Sequence, residues 1–342
     1  MTTDPKNPTG LMGIQFVEFA SPEPKAIHEL LLDFGFSRVA RHLERDVDLY
    51  EQNGIWMLLN RDRASFGGRF AREHGPSICS MGWRVRDPAS ALAAAIERGA
   101  KRADGDYAFG GGPCPAIEGV GGSLLYFVDE GPLGFVPLEK PERVMQKGFV
   151  AIDHLTNNVE KGTMERWRRF YEEVFAFTPV RTFEIRGDKT GLSSFALRSP
   201  CGTFCIPINE ADEAKSQINE FIEQYRGSGV QHLAFATDNI LDSLAKLEGS
   251  RVSFLDIDDG YYRSVWNRVP GVTEDHAEIA RRNVLVDGDD DGYLLQIFTR
   301  PLCGPIFIEL IQRRNHHSFG EGNFGALFRS IERDQARRGI FD

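Results

Sequence analysis

The two halves of this 342-residue sequence carry the same succession of patterns, which commits the chain to two copies of one folding unit. GIQFVEFASPEP from Gly13 and AIDHLTNNVEKG from Ala151 align without gaps, each a strand-like run closed by a polar turn. SMGWRVRDPASALAAAIERGA from Ser80 is matched by HLAFATDNILDSLAKLEGS from His232. Both read as a strand, a turn with Asp and an amphipathic helix, with Leu92, Ala95 and Ile96 at helical spacing in the first. GGSLLYFVDEGPLGFVPLEK pairs with DGYLLQIFTRPLCGPIFIELIQR, two strands joined by a Gly/Pro turn. The charged stretch LEKPERVMQKG, which contains Pro141, separates the copies and predicts domains of 1–145 and 146–342.

Many short β-rich runs with one amphipathic helix per unit predict an α+β domain whose curved sheet wraps a cavity. Side chains two apart on a strand share a face, which groups Gln296 with Phe298, and Phe307 with Glu309. The tail from Asn323 to Arg338 reads as a helix with Asn323 as N-cap. Its stripe of Phe324, Leu327, Phe328 and Ile331 suits a cover over a cavity mouth.

A net charge of −10 and a pI near 5.4 argue against nucleic acid or anionic lipid as partner and favour a small molecule. No apolar run approaches the ~20 residues of a membrane span, and the amino terminus lacks a signal pattern, so a cytoplasmic protein is expected. The five cysteines, odd in number and scattered, read as reduced thiols.

The repeat supplies an internal control. Opposite His154 the first half has Phe16, opposite His232 it has Ser80, and opposite Glu309 it has Pro137. A residue demanded by the fold would recur in both copies, so these three mark a site built only in the second. Two histidines and one carboxylate leave open positions on an octahedral metal, the arrangement of non-haem Fe(II) oxygenases. A lone His in an apolar strand is otherwise a hydrogen-bonded core residue. Glu309, within GPIFIELI, would cost several kcal/mol if buried unpaired, so it calls for a metal or an arginine partner.

Other patterns carry less. Gly320, Gly322 and Gly325 spell G-x-G-x-x-G with too little chain behind them for a βαβ unit. His42 with Glu44 and His276 with Glu278 have H-x-E spacing in charged surroundings expected to be solvated, as is the loop of His316 and His317.

DHLTNNV from Asp153, GVQHLAF from Gly229, LLQIFTRPL from Leu294, IFIELIQR from Ile306 and FGEGNFGALFRSIERDQARRG from Phe319 together resemble the 4-hydroxyphenylpyruvate dioxygenase family. GLMGIQFVEFASPEP and EHGPSICSMGWRVRD are similar to its bacterial amino-terminal domain. The resemblance implies two tandem vicinal-oxygen-chelate (glyoxalase-like) domains of paired βαβββ modules forming curved open barrels. It also implies one Fe(2+) per chain on His154, His232 and Glu309, in the carboxy-terminal domain alone.

It carries over as substrate-binding Ser194, Pro207, Asn209, Gln217, Gln231, Gln296, Phe298, Phe307, Phe319, Asn323, Phe324 and Leu327, with Gln231, Gln296 and Asn209 also catalytic. The implied reaction turns 4-hydroxyphenylpyruvate and dioxygen into homogentisate and carbon dioxide, in a homo-oligomer (dimer or tetramer) that binds neither nucleic acid nor membrane. The alternative is a 4-hydroxymandelate synthase, which oxidises the benzylic carbon of the same substrate; Pro207, Asn209 and Phe307 resemble the dioxygenases more. An extradiol dioxygenase would want a further acid/base histidine. A binding or resistance protein of the same fold would need no redox metal. The joining segment looks shorter than in many relatives, and RRNHHS replaces the usual approach to the terminal motif.

Overall fold

Apolar alternation pairs the strands of each half into one large sheet. The computed structural model describes residues 4–109, 112–131, 133–186, 191–213 and 215–337. In the first half the strands are β1 (Leu11–Ala20), β2 (Ser37–His42), β3 (Val47–Gln52), β4 (Ile55–Asn60), β5 (Ser77–Val85), β6 (Arg102–Ala103), β7 (Ala108–Phe109), β8 (Gly112–Pro113), β9 (Ala116–Glu118), β10 (Leu124–Val128) and β11 (Phe135–Glu142). β7 and β8 form a small ribbon, and the others join in the order β11-β2-β3-β4-β1-β5-β10-β9-β6. In the second half β12 (Phe149–Val159), β13 (Thr178–Arg186), β14 (Gly191–Arg198), β15 (Cys205–Ala211), β16 (Gly229–Thr237), β17 (Leu285–Gly288), β18 (Tyr293–Phe298) and β19 (Phe307–Arg314) join as β13-β14-β15-β12-β16-β19-β18-β17.

Apart from the extra edge strand β11, the two orders correspond strand for strand. β1 lies parallel to β4 and antiparallel to β5, as β12 lies parallel to β15 and antiparallel to β16. β10 runs parallel to β5, and β19 parallel to β16. This corrects the third sequence match: LLYFV of β10 is the counterpart of the β19 run FIELI, not of LLQIF in β18. The residue standing where Glu309 stands is therefore Tyr126, not Pro137, because Tyr126 pairs with Gly82 as Glu309 pairs with Ala234. Phe16 and Ser80 keep their assignments, since Phe16 also faces Gly82 as His154 faces Ala234.

The expected linker is partly strand. Residues up to Glu142 belong to β11 and pair with β2, and only 143–148 cross to the second sheet without regular structure. Both expected helices after β5 and β16 form, Pro88–Glu97 and Ile240–Leu247, with Asp87 and Asn239 accepting backbone N–H bonds as N-caps. Ala91 and Ala95 turn inward, whereas Ile96 is exposed.

The halves share an aromatic core. Trp83 lies 4.7, 5.8 and 5.7 Å from the ring centres of Phe175, Phe177 and Phe204. Phe36 packs on Phe235, which stacks on Phe149. Gly121, at φ +65°, abuts the Ser228 carbonyl so closely that a Cβ would lie 1.9 Å from it, so the loop before β10 meets the second half only with glycine there.

Candidate metal centre and its cavity

His154, His232 and Glu309 project from the adjacent strands β12, β16 and β19, in the concave middle of the second sheet. Their ligand atoms all lie within 4.8 Å of one another, and among the described residues no other group of three His, Cys, Asp or Glu converges in this way. His154 Nε2 is 3.1 Å and His232 Nε2 is 3.5 Å from Glu309 Oε2. The imidazole planes stand 82° apart, so the two ring nitrogens approach a common point from different directions.

Each ring is held at its far nitrogen. Nδ1 of His154 faces Asp153 Oδ2 at 2.7 Å, and Nδ1 of His232 faces Gln231 Oε1 at 3.1 Å. Both acceptors select the tautomer with hydrogen on Nδ1, which leaves the Nε2 lone pairs aimed at the gap between the ligands. Glu309 is 2% exposed, and its recorded ion-pair partners are the two histidines. The nearby guanidinium, Arg313, binds Asp153 instead. The donor set thus fits a divalent metal with open positions.

The charges respond to this crowding. Burial pushes the Glu309 carboxyl upward, but His154 and His232 outweigh it and hold it below the usual carboxylate range. Burial would lower His154, yet Glu309 and Asp153 on either side raise it. His232 is lowered, by burial and by the neighbouring His154. Two imidazoles bracketing one carboxylate with their affinities pushed apart is a common signature of a functional site.

A cavity opens on these ligands. Its wall includes Ser194, Pro207, Asn209, Gln217, Gln231, Gln296, Phe298, Phe307, Phe319, Phe324 and Leu327, each expected there from sequence. Phe307 stacks on His232 with centroids 4.7 Å apart, and Phe298 pairs across the strands with Glu309. Ser194 and Asn209 are cross-strand partners on β14 and β15.

Asn323 is the exception. It is fully buried one layer behind the wall, where its Nδ2 donates to Gln296 Oε1 at 3.3 Å, and its Oδ1, expected to cap the helix that it precedes, accepts from the Tyr261 hydroxyl at 2.6 Å. It lies in the short 3-10 turn Glu321–Asn323, and the terminal helix runs Phe324–Arg337; Arg338 falls outside the described residues. Gly320, at φ +79°, starts this turn; a Cβ there would lie 1.9 Å from Gln296 Oε1, so the glycine reflects close packing and not phosphate binding.

Sequence reasoning missed Thr156, Phe183 and Leu192 as wall residues, and took Phe328 and Ile331 only as a helix stripe. It also missed Asp153 and Arg313, although an Asp beside a candidate ligand and an Arg four positions along β19 from Glu309 were visible signals. His42 and His316 are buried, contrary to expectation. His42 accepts the backbone N–H groups of Glu44 and Arg45, and His316 is bound by Ser318. His276 is exposed and stacks on Trp266. A wider groove between the halves, with Arg98, Arg166 and Arg226 interleaved with Glu73 and Glu173, lies apart from the ligands.

Comparison with known proteins agrees with this geometry. Residues 5–131 match the family described as hydroxyphenylpyruvate dioxygenase, HPPD, N-terminal, and 151–297 the glyoxalase/bleomycin resistance protein/dioxygenase superfamily. The chain is 51% identical to protein MelA of Shewanella colwelliana over 98% of this chain and 99% of that one. It is 44% identical to a 4-hydroxyphenylpyruvate dioxygenase of Pseudomonas aeruginosa over 98% of this chain and 97% of the other. A mutant 4-hydroxymandelate synthase from Streptomyces coelicolor superposes with a TM-score of 0.84 at 25% identity, covering 95% of this chain and 99% of its own.

Proposed function

The chain belongs to the 4-hydroxyphenylpyruvate dioxygenase family, and from that premise we propose that it converts 4-hydroxyphenylpyruvate and dioxygen to homogentisate and carbon dioxide. The fold is the α+β glyoxalase-like, vicinal-oxygen-chelate arrangement of two curled sheets. We read His154, His232 and Glu309 as ligands of one Fe(2+) per chain, in a catalytic domain of 146–342 beside a metal-free structural domain of 1–145.

The observation that carries this reading is the buried meeting of two imidazole Nε2 atoms and one carboxylate at the floor of a cavity walled by phenylalanines and carboxamides. Iron bound there supplies the one-electron chemistry that dioxygen needs to attack a closed-shell organic molecule, which zinc does not. Ser194, Asn209, Gln217, Gln231 and Gln296 offer donors and acceptors for a phenol and a 2-oxo acid. Phe298, Phe307, Phe319 and Phe324 enclose the aromatic ring, and the terminal helix with Phe324 and Leu327 excludes water above it. Asn323 fixes the Gln296 carboxamide from behind. In this reading Asn209, Gln231 and Gln296 hold the substrate in one orientation, which is the share of rate that positioning supplies.

The extradiol reading loses ground, because among the described residues His154 and His232 are the histidines that line the cavity. The fold neighbour, a mutant of a 4-hydroxymandelate synthase, keeps benzylic oxidation as the second reading. Turnover of Fe(II)-loaded protein with 4-hydroxyphenylpyruvate under air separates them. Homogentisate with one carbon dioxide per dioxygen is expected, and 4-hydroxymandelate as the main product would overturn the choice. His154→Ala should lose bound iron and dioxygen uptake together, which a metal-independent binding protein would not.

No helix among the described residues is long and apolar enough to cross a membrane. The homo-oligomer expected from the family is tested by native mass spectrometry of the full chain.

A further inference from the structure

The guanidinium of Arg313 makes two sets of contacts that belong to different parts of the molecule. Nε and Nη2 donate to Oδ1 and Oδ2 of Asp153 at 2.8 and 2.9 Å. Nη1 donates to the carbonyls of His316 and Ser318 at 3.1 and 2.6 Å, in the segment from which the terminal helix hangs. Asp153 in turn is the acceptor that orients His154. Phe319 closes the circuit, with its ring centre 5.5 Å from that of His154 and 5.9 Å from the Arg313 guanidinium carbon.

We propose that Asp153 and Arg313 are positioning residues that couple metal binding at His154 to closure of the terminal helix over the cavity. The inference rests on His154 being a metal ligand and goes beyond that reading by naming what the ligand is mechanically joined to. Arg313 presents its donors in one rigid plane, so gripping Asp153 with Nε and Nη2 fixes where Nη1 points. The two carbonyls lie along that direction. The pair is mostly shielded, with side chains 14% and 20% exposed, so water does not substitute freely for either partner.

A metal on Nε2 removes the remaining rotational freedom of the His154 ring. Asp153, Arg313 and the 316–318 segment then lose motion together, and the cover above the cavity is held by the same atoms that steady the ligand. Linkage requires the reverse as well: a closed helix tightens metal binding by the same factor. The device favours a closed cover only over a loaded centre.

The test uses the full chain as apoprotein, titrated with Co(II) and followed by visible absorption. Hydrogen exchange of residues 319–337 is measured by mass spectrometry with and without the metal. In the unmutated protein, Co(II) should slow exchange in that segment. Arg313→Gln should weaken Co(II) binding by ~10–100-fold, the range for losing an outer partner of a metal-bound histidine, and at saturating Co(II) the slowing should vanish. Asp153→Asn should do both as well. Arg313→Lys keeps a charge beside Asp153 but cannot span both contact sets, so Co(II) affinity should recover further than the exchange protection. If Arg313→Gln fails to fold by circular dichroism, Asp153→Asn and Arg313→Lys decide by the same two readings. Variants that bind Co(II) with unchanged affinity, or keep full metal-dependent protection, overturn the coupling. An unmutated protein that binds no Co(II) instead removes the ligand assignment beneath it.

Discussion

His154 and Glu309 lie on strands that are not neighbours, and they meet because each stands directly opposite Ala234 on the strand between them. The methyl group of Ala234 is fully buried and leaves the space above it to the ligand atoms, whose Nε2 to Oε2 separation is 3.1 Å. A larger side chain at this position would point into that space. Ala234→Leu should therefore lower bound metal to near zero and abolish dioxygen uptake, at a stability cost of about 1–3 kcal/mol for overpacking. Ala234→Gly should keep both. Metal content by plasma emission and an intact circular dichroism spectrum check the pair, and a fully loaded Leu variant would show that the ligands do not meet there.

The turn that leads into the terminal helix is held from behind by Tyr261. Its hydroxyl meets Asn323 Oδ1 at 2.6 Å and the Val286 carbonyl at 2.8 Å, and Asn323 passes the contact to Gln296. Tyr261→Phe keeps the ring and removes the hydroxyl, a loss of about 1 kcal/mol by the usual worth of such a bond. KM for the aromatic substrate should rise ~3–10-fold as Gln296 loosens, while metal content stays near one per chain. An unchanged KM with a lower metal content would place Tyr261 in the metal's support and not the cover's.

How much of this was readable depends on what kind of signal each residue leaves. His154 and His232 stood out because a repeat with Phe16 and Ser80 in their places is an internal comparison, and the strand register keeps both pairings. Glu309 was singled out but aligned to Pro137, because LLYF, LLQIF and FIELI are all apolar strands and alternation alone carries no register. Only the parallel pairing of β10 with β5 identifies Tyr126. Phe183 and Leu192 were missed for a related reason: an apolar wall and an apolar core have the same sequence. Asn323 was taken for a cap because Asn before a helix usually is one. Its burial behind Gln296 depends on chain segments far apart in sequence.

The first half holds a carboxylate where the second half holds none. Glu18 sits at the register position of Thr156 and is buried, with Ser80, Tyr107 and Asn60 donating to it and Asp106 adding like charge. Burial raises its carboxyl above the ordinary value near 4.5. A raised acid contributes stability that is complete below the unfolded value and is lost as pH climbs through the folded one. Glu18→Gln carries no charge at any pH and lacks that loss. Urea denaturation of both proteins from pH 4 to 8 should show the Gln variant gaining relative stability as pH rises; a pH-independent difference would mean that Glu18 titrates normally in the fold.

Removing the metal should move one unfolding transition, not the lower of two. Trp83 of the first half is inserted among Phe175, Phe177 and Phe204 of the second, and Phe36 packs on Phe235, so neither sheet keeps its core if the other opens. A ligand present at about 100 times its Kd stabilises the folded state by ~2.7 kcal/mol, and ~2–4 °C per kcal/mol gives a drop of roughly 5–10 °C on chelation. The first sheet binds no metal in this reading, yet it should melt at the lowered temperature too, because its aromatic faces would lose their partners. Differential scanning calorimetry with and without a chelator measures this directly. A first-half transition that stays in place while the second shifts would show that the shared core joins the sheets without making them one cooperative unit.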